Sequence, residues 1–319
     1  MTIAFTIVNI PYLPVAKALA DSFVTHNPEV PLYICLFDDQ DDIQDAMFLD
    51  YHIYDKSHLN KEEYDDMRHR YDNFSMACAL KPFFAEALLR DFDPEHIVYL
   101  DADLMFFDSL TKLDEVLNIQ QKSIVLTGHQ YTVIPSENEL SNNQTLRKYG
   151  IYNAGFIALK NNAVGQQFLA WWKRILFTKC IRDDENGIYY DQTWLDLVPM
   201  YFGDDFYMLK DLGYNVAFWN LEERHLSAKG GNYFINEHYP LVFYHFARYK
   251  YYKPEFINGF YMRFEGQDSL FEIFTTYRKN LKQNLFEEYH KEPIAKRPTF
   301  IDKLKISLKY RLGLIVDKL

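Results

Sequence analysis

Short β-branched runs alternate with amphipathic stretches through the first hundred residues, and that rhythm restricts the fold of the chain more than any other feature. Residues 3–8, 32–37 and 96–100 read as strands, while 15–26, 62–70 and 76–90 carry helical spacing. Strand, helix, strand in this order predicts an α/β architecture, a mostly parallel sheet flanked by helices. Such sheets bind ligands in the crevice beyond the carboxyl ends of their strands. Farther along, a strand is expected at 123–126 and an exposed polar loop at 136–143. An apolar run lies around 155–159, helices at 164–178 and around 191–198, and a strand at 241–245 closes the main body. The economical partition is one large domain over 1–265 and a helical extension over 266–319.

Composition narrows the function classes. With 34 Lys and Arg against 45 Asp and Glu the net charge is −11, which argues against a nucleic-acid partner. Cys35, Cys78 and Cys180 are widely spaced and suit buried thiols in a reducing compartment rather than disulfides or a zinc site. No apolar run reaches membrane-spanning length and the N-terminus lacks a basic signal region, so the expected location is cytoplasmic. Residues 291–319 differ in charge, with eight basic side chains against three acidic ones, a net of +5. There Ile301, Leu304, Leu308, Leu312, Ile315 and Leu319 fall on one helical face with lysines around it. Two readings stand side by side: an interfacial helix docking residues 296–319 on an anionic membrane, peripheral to its inner face, or a terminal helix packed on the protein.

The sharpest chemical signal is Ile97-Val-Tyr-Leu-Asp101-Ala102-Asp103, an apolar strand running into two acids. Extended backbone points alternate side chains the same way, so Asp101 and Asp103 are expected to converge at the strand end. A hard divalent cation would satisfy both carboxylates and hold a nucleotide diphosphate through its phosphate oxygens. Alone, such a pair more often caps a helix or sits in solvent.

Around it stand, in order, Leu80-Lys81-Pro82-Phe-Phe, Tyr152-Asn153-Ala154-Gly155-Phe, Tyr190-Asp191-Gln192-Thr-Trp194, Asn215-Val-Ala-Phe-Trp-Asn220 and Phe243-Tyr-His245-Phe. From about residue 3 to residue 254 the chain resembles the nucleotide-diphospho-sugar transferases of the GT-A type, and is similar to glycosyltransferase family 8 and related bacterial polysaccharide transferases. The resemblance implies a Rossmann-like GT-A catalytic domain and makes Asp101, Asp103 and His245 ligands of Mn²⁺ or Mg²⁺. It seats a nucleobase near Asn9, Tyr12 and Asp38, with Asp39 a close alternative. Lys81 then reaches the donor's phosphates or sugar, Asn153 reads a sugar hydroxyl and Gly155 lets the donor approach. Asp191 binds the donor sugar, and Gln192 lies near the reacting face of the anomeric carbon. Of the four tryptophans only Trp194 is given an acceptor-side role.

One stretch departs from the family pattern. His245-Phe-Ala-Arg248-Tyr-Lys250-Tyr-Tyr-Lys253-Pro254 has Arg248 where the family carries glycine, and its Lys-Pro pair comes two residues late. The phosphate-binding lysine is therefore Lys250 or Lys253, with Arg248 as a further clamp. The implied activity is transfer of a sugar from a UDP-sugar or other nucleotide-diphosphate donor to a glycan or lipid-linked acceptor in surface polysaccharide synthesis, with retention of configuration. A same-face displacement suits that outcome better than a covalent Gln192 intermediate. Two rivals remain open: a sugar nucleotidyltransferase, which would carry a glycine-rich phosphate loop where this chain has Asn9-Ile-Pro-Tyr-Leu-Pro14, and a non-catalytic nucleotide- or carbohydrate-binding relative.

Overall fold

Strand β1 (Thr2–Val8) is buried from Ile3 onward because the sheet continues on both sides of it and helices cover both its faces. It pairs in parallel with β2 (Leu32–Leu36) and β4 (His96–Leu100), and β2 pairs in parallel with β3 (His52–Asp55). Beyond β4 lies β7 (Tyr152–Lys160), antiparallel to β4 and to β6 (Ile124–Gly128). An edge strand, β10 (Phe206–Met208), runs parallel to β6. The seven-stranded order is β10-β6-β7-β4-β1-β2-β3. A two-stranded ribbon pairs β5 (Leu104–Phe106) antiparallel to β14 (Phe243–His245). Small antiparallel units join β8 (Arg182–Asp183) to β9 (Ile188–Tyr189), and β11 (Leu226–Lys229), β12 (Asn232–Ile235) and β13 (Tyr239–Pro240) to one another. The computed structural model describes residues 1–133, 139–253, 256–257, 260–261 and 268–290; the expected tail helix over 296–319 lies outside them.

Helix α1 (Leu13–His26) crosses from β1 to β2 and buries Leu19, Ala20 and Phe23 against Val98, Leu100 and Phe156 on one sheet face. The opposite face carries α2 (Lys61–Arg70), α3 (Asn73–Ala79), α4 (Lys81–Phe92) and α7 (Ala163–Lys179), whose Phe84, Phe168 and Trp172 pack with Phe5, Tyr99 and Ile157. The single helix expected over 76–90 is thus two helices. Pro82 has no amide to give and its ring would strike the carbonyl of residue 78, so the helix restarts at Lys81 with Pro82 in its first turn. That restart turns Lys81 inward, where it is 3% exposed.

Shorter helices are α5 (Thr111–Asp114), α6 (Glu139–Tyr149) and α8 (Val198–Phe202), the last continuing a 3₁₀ turn at Thr193–Leu197. Helix α6 replaces most of the loop expected at 136–143. Its polar residues carry no apolar stripe to signal a helix, and it stops at Gly150, whose φ of +108° suits glycine. The expected strand at 241–245 forms only over Phe243–His245 and joins β5, not the main sheet.

After β14, α9 (Asp268–Gln283) lays Leu270, Ile273, Phe274, Tyr277 and Leu281 against Tyr244, Phe246 and Val15, and α10 (Phe286–Tyr289) follows it. At roughly 1.5–3 kcal/mol per fully buried apolar side chain, that face fastens the helix to the sheet domain. No helix among the described residues is long and apolar enough to cross a membrane.

Candidate functional site

The carboxyl ends of β1, β2 and β4 open on one side of the sheet, and the end of β14 approaches from the ribbon. Asp101 and Asp103 follow β4, but not in extended backbone. The amide of Leu104 donates to the carbonyl of Asp101 at 3.3 Å, closing a tight turn that leads into β5. The acids still converge: the turn brings one ligand atom each of Asp101, Asp103 and His245 within 4.8 Å of one another. His245 Nε2 lies 3.1 Å from Asp103 Oδ1 and 3.7 Å from Asp101 Oδ2. Burial works against charge on His245, but Asp103 and then Asp101 outweigh it and raise the imidazole above its usual range. The same attraction overcomes burial at Asp103 and lowers its carboxyl.

Gly155, on β7, forms the floor. A Cβ there would stand 2.7 Å from both Asp101 Oδ2 and His245 Cε1 and 2.8 Å from Asn153 Oδ1, so only glycine leaves room for the three to gather. Tyr99 donates its hydroxyl to Asp101 Oδ1 at 2.6 Å.

Lys81 is the buried cation of the site. Its Nζ stands 2.7 Å from Asp191 Oδ2 and 3.4 Å from Asp101 Oδ1, donates to the carbonyl of Ala154 at 2.9 Å, and lies 4.4 Å from the Tyr99 ring centroid. Burial disfavours its charge, yet Asp101 and Asp191 hold the ammonium above the ordinary lysine range. At Asp191 burial prevails over Lys81 and pushes the carboxyl up. An ammonium gripped this way orders the aspartates.

The amides form a separate layer. Gln192 Oε1 accepts from the amide of Ala154 and from Asn153 Nδ2, each at 3.1 Å, while its Nε2 donates to the carbonyl of Tyr149 at 2.7 Å. Asn153 Oδ1 accepts from the amide of Gly155 at 3.0 Å and from Asn215 Nδ2 at 3.0 Å.

Among the residues expected near a base, Asn9 is buried at the start of the 3₁₀ turn Ile10–Tyr12. Asp38 Oδ2 accepts from the amide of Ile10 at 2.8 Å and pins that turn, whereas Asp39 pairs with Lys56 at 2.8 Å, away from it. Tyr12 is 48% exposed, with its ring edge-on to His290 at 4.9 Å. Arg248, Lys250 and Lys253 are exposed on the turns after β14, with Arg248 at φ +61°. Trp194 is half-buried against the core at the 3₁₀ turn beyond Gln192.

Several residues that hold the site carried no role in the sequence. Asn215 is fully buried at φ +56°, and His129 is neutral, with burial lowering it to about 4. Glu223 accepts from the amides of Tyr131 and Thr132 and pairs with buried Arg224 at 3.1 Å. A lone amide inside the apolar run Tyr214-Asn215-Val216-Ala217 was the available signal, since a buried amide needs partners.

No family model matches the chain. It is 28% identical over 242 residues to YfnF, an uncharacterized protein of Bacillus subtilis (strain 168), covering 74% of this chain and 77% of that one. To YfnD of the same organism, also uncharacterized, it is 28% identical over 212 residues, covering 64% of this chain and 63% of YfnD, so it spans less than two thirds of that relative. The fold is similar to that of the galactosyltransferase LgtC, solved in complex with donor and acceptor sugar analogs. The match has a TM-score of 0.50 and 14% identity, and covers 88% of this chain and 95% of LgtC. The sheet and its flanking helices are those of the GT-A fold.

Proposed function

We propose that the chain is a metal-dependent glycosyltransferase that moves a sugar from a nucleotide-diphosphate donor, a UDP-sugar, to a glycan or lipid-linked acceptor of surface polysaccharide synthesis. The observation that carries the reading is the convergence of Asp101, Asp103 and His245 over the glycine floor, at the strand ends of a GT-A sheet. LgtC, which shares that sheet, was solved with donor and acceptor sugar analogs.

The residues fit a divalent cation. Two carboxylates and one imidazole suit Mn²⁺ or Mg²⁺, and a side chain at position 155 would fill the space they share. When bound, such an ion supplies positive charge for the departing diphosphate. Asp101, Asp103 and His245 would hold it. Asp191, kept in place by Lys81, offers a carboxylate to the positive charge that develops on the sugar ring. The amide oxygen of Gln192 is already occupied by two donors, which leaves it poorly suited to act as a nucleophile. With the retained configuration that the resemblance to glycosyltransferase family 8 implies, such a Gln192 favours a same-face displacement in which the leaving phosphate accepts the acceptor's proton. Asn9 and Tyr12 would border the base, and Arg248 with Lys250 or Lys253 the phosphates.

Calorimetric titration with UDP, GDP and CDP, each with Mn²⁺ and again with chelator, tests the reading. UDP binding that requires Mn²⁺ and disappears in Asp103→Ala, while the variant keeps its melting temperature, is the expected result. Nucleotide binding indifferent to metal, or none at all, overturns it in favour of a non-catalytic relative.

A further inference from the structure

We infer that Asn215 is the positioning residue of this site: a one-way chain of side-chain amides, anchored on backbone groups, fixes which nitrogen of His245 faces the two aspartates. The direction of every bond follows from its fixed end. The backbone amide of Ala154 can only donate, so the atom of Gln192 that it meets at 3.1 Å is oxygen, and the nitrogen of Gln192 donates to the carbonyl of Tyr149 at 2.7 Å. Asn153 must then give its Nδ2 to Gln192 Oε1 at 3.1 Å. Its Oδ1 takes the amide of Gly155 at 3.0 Å, an independent check on the same orientation. Asn215 must in turn donate Nδ2 to Asn153 Oδ1 at 3.0 Å, and to Thr127 Oγ1 at 2.9 Å. What remains of Asn215 is its oxygen, 3.0 Å from His245 Nδ1, which is therefore the protonated nitrogen.

The consequence falls at the other nitrogen. With Nδ1 committed as donor, Nε2 is turned toward Asp103 Oδ1 at 3.1 Å and Asp101 Oδ2 at 3.7 Å. A proton on Nε2 answers these carboxylates when no ion is bound, and a divalent cation that takes the proton's place meets the Nε2 lone pair and both carboxylates together, so the chain readies the histidine as a ligand. Each amide in the series polarises the next, and the same bonds fix Asn153 and Gln192. Asn215 can occupy this place because asparagine tolerates the left-handed backbone that its φ of +56° demands, and that backbone aims its side chain inward between β6, β7 and β14.

This inference rests on the proposed metal-dependent transferase, and two variants with two readouts separate the two. Asn215→Gly accepts the backbone but removes the amide; Asn215→Asp keeps an acceptor for His245 and loses both donors. In ¹⁵N-histidine-labelled, metal-free protein, the Nδ1 proton of His245, assigned by difference with His245→Gln, should be visible and slow to exchange. It should persist in Asn215→Asp and vanish in Asn215→Gly. Mn²⁺ affinity by electron paramagnetic resonance should fall about 10–100-fold in Asn215→Gly and by less than about threefold in Asn215→Asp. The aspartate variant should instead raise the KM for the donor, because a carboxylate oxygen then faces Asn153 Oδ1 where a donor stood. A proton that survives in a folded Asn215→Gly protein overturns the inference. Should the unmodified protein bind no Mn²⁺ while the proton still depends on Asn215, the metal reading falls and the positioning role of Asn215 stands.

Discussion

Lys81 shows how one side chain can hold a polar site together from beneath. It is 3% exposed, and its ammonium reaches two aspartates, a carbonyl and an aromatic face. Removing one member of such a group leaves the others buried without compensation, a loss of about 3–5 kcal/mol. Lys81→Met is accordingly expected to lose that much stability at pH 7 in urea denaturation. The double variant Lys81→Met, Asp191→Asn should recover most of it, because the carboxylate stranded by the first change is gone. A single variant that loses less than about 1 kcal/mol would show that the ammonium is dispensable to the fold. The sequence marked Lys81 through its neighbours, but gave no sign of its burial, which arises only because Pro82 splits the expected helix. Asn215 was harder still to read, since its value lies in a left-handed backbone and in partners 62 and 88 positions away.

At the level of elements, β1, β2, β4 and β6 and the longer helices α1, α2 and α7 were legible because buried strands and half-buried helices print their periods directly, whereas the short, partly exposed parallel strands β3 and β10 were not. What failed is equally physical. Helix α6 is too polar to show a stripe, and the two aspartates converge through a turn where alternation along a strand was expected. The end of β6 offers a test of how that turn-rich edge responds to acid. His129 follows β6 and stacks edge-on against Trp219 at 5.3 Å. Its Nδ1 donates to the carbonyl of Ile151 at 3.3 Å, and Asn153 Nδ2 approaches its Nε2 at 3.4 Å, both consistent with a neutral ring. Burial lowers the group to about 4 from an ordinary value of 6.5. A folded-state value below the unfolded one means that its contribution is fully present above pH 6.5 and is lost as the pH falls toward 4. The full loss amounts to about 3 kcal/mol. Chemical denaturation of His129→Gln between pH 7 and pH 4 should therefore show a shallower fall in stability than the unmodified chain. Parallel curves would mean that the ring takes up its proton without cost.

Across the whole molecule, charge and position point the same way. The net charge is −11 in all and +5 over residues 291–319, hence −16 for the rest. The last described residue, His290, lies beside the candidate donor site, edge-on to Tyr12 at 4.9 Å, and Tyr289 donates its hydroxyl to Asp45 at 2.6 Å. The basic segment therefore begins next to the strand ends at which the proposed chemistry takes place. A lipid-linked acceptor is held at a membrane, and an acidic body is repelled by anionic lipid, so a basic segment starting at this rim would draw the site to the surface against that repulsion. Each basic side chain contributes roughly 1 kcal/mol near such a surface, and the attraction weakens with salt. Deleting residues 296–319 should cut co-sedimentation with vesicles containing anionic phosphatidylglycerol at least about tenfold at low salt, while metal-dependent UDP binding stays unchanged. High salt should release the full chain from the same vesicles, as expected for binding in which basic charge takes part. If the shortened chain sediments as the full one does, the attraction belongs to another face of the protein; if it loses UDP binding as well, the segment is part of the donor site and not a membrane anchor.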